Sequence, residues 1–366
     1  MNDKCEIILS VFRELPDPRV ERTKVHSLEI IMFIALACYL SGGESFNDMQ
    51  LFADTRKDWL TENIGMKSVP SHDTFNRVFQ AISQKHFGEC LQELTSRLRE
   101  NLSDEIVAFD GKTHRRTGDS QQRPLHTLNA WAVNNRLVLG QLTVEEKSNE
   151  ITAIPQLMDK LDLKGCIITA DALNCQKKIA KKAVEQKADY VLALKGNQRL
   201  MYDEVKSYLD VFTEKNAPGY ETIEKGHGRF ETRRYWQTTD ISWCSEKEKW
   251  ANLSSFAVCE SIREINGVTN INRRYFISSL TDCGVKKIAS AIRAHWQIEN
   301  ALHWRLDVVF NEDQSRARIK NAAKNLGTLR AICLNLMKKV PGKESLKGKR
   351  YKAALSIDYL VNAIRL

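Results

Sequence analysis

The sequence predicts a mixed α/β fold: a sheet of parallel and antiparallel strands flanked by helices, preceded by an all-helical segment. Three observations carry this. Short continuous apolar runs at 106–109, 166–170 and 190–194 have the length of strands buried on both faces, and helical stretches lie between them. Strand-like runs at 126–133 and 137–144 meet at Asn134-Asn135, a good hairpin turn. The first hundred residues show helical spacing throughout.

At 366 residues the chain has room for two or three domains, and 42% hydrophobic content excludes a disordered protein. Lys and Arg number 55 against 46 Asp and Glu, a net +9 that leans toward a polyanionic partner. The nine cysteines are scattered and odd in number, with no Cys-x-x-Cys pair. That argues against a disulfide framework or a four-cysteine zinc site and fits a reduced cytosolic setting. Asp3 and Glu6 do not fit a signal-peptide layout, and the most apolar run, 28–40, contains Glu29 and is too short to cross a bilayer. No membrane partner is expected.

Taken in order, 7–15 is an amphipathic helix stopped by Pro16 and Pro18. A basic connector (Arg19, Arg22, Lys24, His26) leads to the apolar helix 28–40, which Gly42-Gly43 breaks, and 46–59 resumes a helix. Ser71 is an N-cap with Asp73 in the first turn behind it; Phe75, Val78, Phe79 and Ile82 face inward, and His72, Asn76 and Arg77 face out. This is either the second helix of a DNA-reading helix-turn-helix or an ordinary bundle helix with a solvated face. Helices at 151–161 and 177–187 alternate with the strands already named. After a helix at 202–212, strand-like runs at 229–238, 256–265 and 273–278, with a turn at Asn266-Gly267, form a β-rich insertion. A helix over 285–313 follows, and a basic tail closes the chain. The expected division is a helical DNA-binding domain at 1–100, the first part of the core at 101–199, the insertion at 200–284, a helix completing the core at 285–335, and the tail at 336–366.

Chemistry collects at three acids. In a straight helix over 285–313, Ile292, Leu302, Leu306 and Phe310 fall within about 60° of Glu299. Glu299 therefore sits on an apolar stripe, with His295 and His303 one turn either side. A carboxylate facing a core needs a partner charge. Asp110 and Asp171 each end a buried strand, the place where open sheets put ligand sites. Three acids brought together repel and call for a divalent cation, and oxygen-only ligands favour Mg²⁺ or Mn²⁺; a pair of such ions suits a phosphodiester. Basic residues lie beside these acids: Lys112, His114, Arg115 and Arg116 after Asp110, and Lys177, Lys178, Lys181 and Lys182 after Asp171. The run 225–234 adds His227, Arg229, Arg233 and Arg234. Each run alone is an ordinary solvated face; their shared placement beside acids favours a nucleic-acid substrate. Trp296 and Trp304 bracket Glu299 as core or base-stacking residues. His295 and His303 form a second metal option, although His-x-x-x-Glu-x-x-x-His is not the zincin order.

Six segments in this order resemble the DDE transposases of bacterial insertion sequences, most closely the H-repeat-associated subgroup. They are Val69-Pro70-Ser71-His72-Asp73-Thr74-Phe75, Phe109-Asp110-Gly111-Lys112, Thr169-Ala170-Asp171-Ala172, Leu194-Lys195-Gly196-Asn197, His227-Gly228-Arg229-Phe230-Glu231-Thr232-Arg233, and the helix at 295–307 with Phe310-Asn311-Glu312-Asp313 after it. The resemblance implies a ribonuclease-H-like core with a β-rich insertion before the last catalytic helix. It implies Asp110, Asp171 and Glu299 as catalytic and metal-binding residues, with two Mg²⁺ (or Mn²⁺) ions. It further implies Mg²⁺-dependent strand cleavage and strand transfer at insertion-sequence ends, on double-stranded DNA comprising terminal inverted repeats and target. A homodimer on DNA and a cytoplasmic, nucleoid-associated setting in a bacterium follow from the same likeness. The expected DNA contacts are Lys112, Arg115, Arg116, Lys195, Asn197, His227, Arg229, Arg233, His295, His303 and Arg305. Many relatives carry Tyr-x-x-Arg-x-x-x-Glu-x-x-x-x-x-x-Lys around the glutamate; here those places hold Ile292, His295, Glu299 and Leu306. His295 then stands in for the arginine as a phosphate donor, and Arg305 lies beside the lysine's place. Two rival readings are a catalytically inactive transposase-derived DNA-binding protein and a zinc hydrolase built on His295 and His303.

Overall fold

The computed structural model describes residues 5–365 except 121, 146–148, 227–228, 266 and 282–283. It is mixed α/β. Six helices come first: α1 (Glu6–Arg13), α2 (Leu28–Leu40), α3 (Phe46–Thr55), α4 (Lys57–Ile64), α5 (His72–Ala81) and α6 (Gln84–Leu98). The single helix expected over 46–59 is two. Arg56 leaves helical geometry (φ −109°, ψ 22°) and its guanidinium donates to the Ala354 carbonyl at 2.9 Å. Ser71 caps α5 by accepting from the Thr74 amide, while Phe75, Val78 and Phe79 are buried and His72 and Arg77 exposed.

The sheet follows: β1 (Ile106–Thr113), β2 (His126–Ala132), β3 (Leu137–Thr143), then α7 (Glu150–Met158), β4 (Ile167–Ala170), α8 (Lys177–Glu185), β5 (Asp189–Leu194) and α9 (Arg199–Lys215). Next come β6 (Tyr220–Gly226), β7 (Arg229–Thr238), β8 (Ser255–Ile265) and β9 (Val268–Ser278). The segment read as an insertion does not form a sheet of its own. Its strands continue the same nine-stranded sheet, in the order β3-β2-β1-β4-β5-β9-β8-β7-β6. Only β1–β4 and β4–β5 are parallel; β9 joins antiparallel to β5.

Side-chain alternation along β1 sorts residues to two faces, as a period of two requires. Val107 and Phe109 join a core with Ala153, Ile154 and Leu157 of α7 and Ile179 of α8. Ile106 and Ala108 face the other way. There α10 (Val285–Ile298) lays Ile288, Ala289, Ala291 and Ile292 on Ile106, Ile167 and Val191. A π-helical turn, Glu299–His303, joins α10 to α11 (Trp304–Phe310).

Past that turn the chain rejoins the helical layer. Ile298, Leu302, Leu306 and Phe310 belong to the core built on α2, together with most of α12 (Ala322–Lys339). The basic tail is also structured, as α13 (Leu346–Leu355) and α14 (Ile357–Ile364). Arg350 in it is buried, donating to the carbonyls of Tyr39 (2.9 Å) and Gly43 (3.1 Å) at and beyond the end of α2. Charge in this stretch thus serves backbone carbonyls where α2 ends. Among the described residues, no helix is long and apolar enough to cross a membrane.

Candidate active site

Parallel pairing sets the first two acids side by side. Phe109 pairs with Ala170, so Asp110 and Asp171, one residue further on, leave neighbouring strands together on the α10 face. The third acid comes from the π-helical turn. Glu299 was expected on the buried stripe; it is exposed. The physical reason is the π turn, whose i→i+5 bonding breaks the 3.6 period on which the stripe was projected. The buried face of α10 belongs to the sheet core and that of α11 to the helical core, and Glu299 sits where one gives way to the other. Asp110 feels Glu299 as well as Asp171.

Glu150, at the start of α7, enters the same cluster. Its Oε1 lies 2.8 Å from His126 Nε2, and its Oε2 accepts from Asn174 Nδ2 at 2.7 Å. The same Asn174 nitrogen donates to Asp171 Oδ1 at 2.9 Å. Burial first, then the charges of Glu150 and Asp171, push the Asp110 carboxyl up to about 7, against the Gly111 amide that favours its ionised form. His303 Nδ1 is 3.6 Å from Asp110 Oδ2, but burial and the nearby Lys112 ammonium press that imidazole down to about 4, so it brings no positive charge. Burial likewise lowers His295, with Asp171 pulling the other way. His295 Nδ1 and His303 Nε2 are buried without a hydrogen-bond partner.

Among the described residues, four carboxylates gather here and no Lys or Arg pairs with Asp110, a site whose chemistry fits a divalent metal ion. Among the described residues, no three His, Cys, Asp or Glu side chains are drawn tightly enough to enclose an ion as they stand. The fit therefore rests on the donor set and its unbalanced charge. His303 approaches Asp110 while His295 borders Asp171 and Arg274, so the two histidines serve different neighbours rather than one zinc.

Comparison with known proteins decides the family. The model described as "Transposase DDE domain" matches residues 101–336, and the one described as "DDE_Tnp_1-associated" matches 9–95. The chain is 37% identical to "Putative transposase YncI" of Escherichia coli O157:H7, covering 96% of this chain and 93% of that protein. It is 36% identical to "H repeat-associated putative transposase YhhI" of Escherichia coli K12, covering 96% and 95%. The chain belongs to the DDE transposase family. A piggyBac transposase synaptic complex with hairpin DNA superposes with a TM-score of 0.45 at 11% identity, covering 97% of this chain and 78% of that one.

In this transposase the basic residues expected to meet DNA divide into two groups. Lys112 is buried, its ammonium 2.7 Å from Asp307, 3.2 Å from Glu312 and 3.2 Å from Asp313. It shares the β1 face of Asp110, so it points at α11 and the segment behind it rather than at solvent. Arg233 is buried too, 2.6 Å from Glu231 and 3.1 Å from Glu224, because Glu231 on its own strand and Glu224 across on β6 neutralise it. Neither placement suits a DNA contact. Arg115 and Arg116 are exposed, the former 3.3 Å from Asp313. Arg305 is half-buried. Asn197 spends its amide on the Ala172 carbonyl (2.7 Å), steadying the turn after Asp171. Arg229 opens β7, and His227 lies outside the described residues.

Lys195 is exposed on a cleft of about 680 Å³ shared with Arg263, Arg274, Tyr202 and Trp296. Arg274 stacks 4.7 Å from the centre of the exposed Trp296 ring. Two features of the transposase site escaped the sequence reading. An acid in the first turn of a helix explains itself as a partner of the helix dipole, which hid Glu150. Arg274 lay in the strand expected at 273–278 and was not singled out; only the β9 register brings it to Trp296 of α10.

Proposed function

We propose that this transposase cuts DNA at the ends of a mobile element and joins the freed ends to a target, with Asp110, Asp171 and Glu299 as the ligands of two Mg²⁺ or Mn²⁺ ions. The single observation that carries the reading is the strand register that sets Asp110 beside Asp171, with the Asp110 carboxyl pushed to about 7 by burial and then by the acids around it. Such a cluster holds its charge only against a cation. The architecture supports it: an antiparallel β1–β3, parallel β4 and β5, and a crossing helix that delivers a third acid are the parts of a ribonuclease-H-like core.

A divalent cation at these acids supplies neutralisation of phosphate charge and a water of lowered pKa. The residues themselves fix where that happens. Asp110 is held inside β1, paired with Asn129 of β2, and Asp171 just past the end of β4, where Asn174 and Asn197 brace the turn. In the first step water oxygen bonds to phosphorus, its proton leaves, and the 3′-oxygen departs as the hydroxyl. In the second that hydroxyl attacks a target phosphate and releases a target 3′-hydroxyl. The substrate is double-stranded DNA carrying terminal inverted repeats, paired by a homodimer.

The test uses purified protein with linear DNA ending in the repeats that flank its reading frame. Asp110→Asn, Asp171→Asn and Glu299→Gln should each abolish Mg²⁺-dependent cleavage while leaving DNA binding intact. Cleavage surviving in any one of them refutes the triad. Unchanged DNA binding with no cleavage by the wild type would instead indicate a catalytically inactive DNA-binding derivative.

A further inference from the structure

Glu150 is placed in a way that a helix-start acid does not need. Asn149 already caps α7, its side chain accepting from the Thr152 amide. The Glu150 carboxylate is turned instead toward β1 and β2. His126 Nε2 meets one oxygen at 2.8 Å and Asn174 Nδ2 meets the other at 2.7 Å. His126 is itself fixed by Thr113 Oγ1, 2.9 Å from its Nδ1. Through the shared Asn174 nitrogen, Glu150 is linked to Asp171.

A second, independent feature makes room for it. Gly111 follows Asp110 directly. A Cβ on Gly111 would lie 2.1 Å from Glu150 Oε1 and 2.5 Å from His126 Nε2, closer than such contacts ever come. The backbone next to Asp110 is therefore bare because the Glu150–His126 pair presses against it. The His126 hydrogen bond holds Glu150 below its ordinary 4.5, and the Glu150 charge raises the cost of ionising Asp110 beside it unless a cation is shared.

Resting on the metal reading above, we propose that Glu150 is a fourth carboxylate of the divalent-cation site, oriented by His126 and Asn174 and acting on the side where Asp110 and Asp171 meet. Its role is to hold the ion before DNA arrives. Partners that orient metal ligands are commonly worth about 10–100-fold in metal affinity, and a direct ligand is worth at least as much.

The experiment is direct Mn²⁺ binding to the full-length protein without DNA, read by electron paramagnetic resonance, together with the Mn²⁺ concentration for half-maximal cleavage. Wild type, Asp110→Asn, Glu150→Gln and Glu150→Asp are compared. Glu150→Gln should weaken Mn²⁺ binding about tenfold or more and raise the Mn²⁺ requirement to match, with DNA binding and melting temperature retained. Glu150→Asp, which keeps the charge but withdraws it, should fall between. If Mn²⁺ binding is lost in Asp110→Asn but unchanged in Glu150→Gln, the Glu150 assignment is overturned and the metal site stands. If it is unchanged in both, the metal reading falls with it. Should Glu150→Gln fail to fold, Glu150→Asp decides: weakened Mn²⁺ binding supports the assignment, and wild-type binding overturns it.

Discussion

Lys112 Nζ lies 2.7 Å from Asp307 Oδ1, and that bond ties β1 to α11 behind Asp110 and Glu299. Lys112 is two residues past Asp110, and Asp307 is eight past Glu299. The ammonium also neutralises Glu312, which is fully buried between Lys112, His114 and Arg330. Two of the segments carrying the family resemblance, around Asp110-Gly111-Lys112 and Asn311-Glu312-Asp313, thus meet in one buried charge network that spaces the strand acid from the helix acid.

Removing Lys112 leaves buried acids uncompensated. Lys112→Met should lower stability by roughly 3 kcal/mol, as breaking a buried ion pair does, read by urea unfolding. The network also sets a pH window. Lys112 is held above its ordinary value, its attraction to Glu312 and Asp307 outweighing burial, so its stabilising contribution is complete below 10.5 and is lost as pH rises through the higher folded value. His114, Lys112 and Arg330 outweigh burial to hold Glu312 below 4.5, so its contribution is complete above 4.5 and is lost as pH falls through the lower folded value. Between those limits the penalty of Lys112→Met should be constant. Stability equal to wild type at pH 7 would show that the network is not held together by its charge.

The Asp110 carboxyl, raised from 3.8 to about 7, makes a metal-free prediction. In the unfolded chain Asp110 ionises near 3.8; in the fold it stays protonated until about 7. The wild type should therefore lose stability as pH rises from about 4 to about 7, then stay lower. Asp110→Asn has no such proton to lose. Without divalent cations at pH 8 it should be more stable than wild type, on the order of 2 kcal/mol once solvent screening is allowed for. Adding Mg²⁺ should close the gap by stabilising the wild type alone. Calorimetry at pH 5 and pH 8, with and without Mg²⁺, checks this; a variant less stable at both pH values would refute it.

What the sequence made legible follows from which forces are local. Apolar runs ending at Asp110 and Asp171 announced buried strands, and the observed register puts both acids at the same end of the sheet. The Ser71 cap and the inward Phe75 and Phe79 could be read from spacing alone. Glu299 could not be placed by spacing, because a π turn alters the period without a signature residue. Lys112 and Arg233 looked like DNA contacts since lysine and arginine are normally solvated; Lys112 meets Asp307, 195 residues away, and Arg233 meets Glu224 on the neighbouring strand as well as Glu231, two residues back on its own. The strands after residue 228 were legible as strands, β6 at 220–226 was not, and nothing local says that β9 would pair with β5 and extend the main sheet.

The cleft at Trp296 predicts a DNA phenotype separable from catalysis. Among the described residues Arg274 has no carboxylate partner, and it stacks on an exposed indole beside Lys195. Such a guanidinium suits a phosphate. Arg274→Ala should weaken DNA binding and reduce the slope of log affinity against log salt by roughly 1. Trp296→Ala should weaken binding with the slope unchanged. Fluorescence anisotropy across a salt series distinguishes them, and an Arg274→Ala slope identical to wild type would remove the phosphate contact.

Lys338 offers the test of the π turn itself. Its Nζ donates to the Ala301 carbonyl at 3.1 Å, inside the turn that carries Glu299, and lies 4.1 Å over the Trp131 ring of β2. Burial, followed by Arg305 and Arg136, lowers this amine from 10.5 to about 7. The unfolded chain takes up its proton near 10.5 and the folded chain only near 7, so the wild type should lose stability as pH falls from about 10 to about 7. Lys338→Met keeps an unbranched side chain against Trp131 and cannot bind that proton. Its melting temperature relative to wild type should rise between pH 10 and pH 7. Cleavage should nevertheless fall by about tenfold, because the Ala301 carbonyl loses its Lys338 donor and the Glu299 segment its anchor. Activity preserved together with the stability gain would show that Lys338 tolerates burial without steadying the turn.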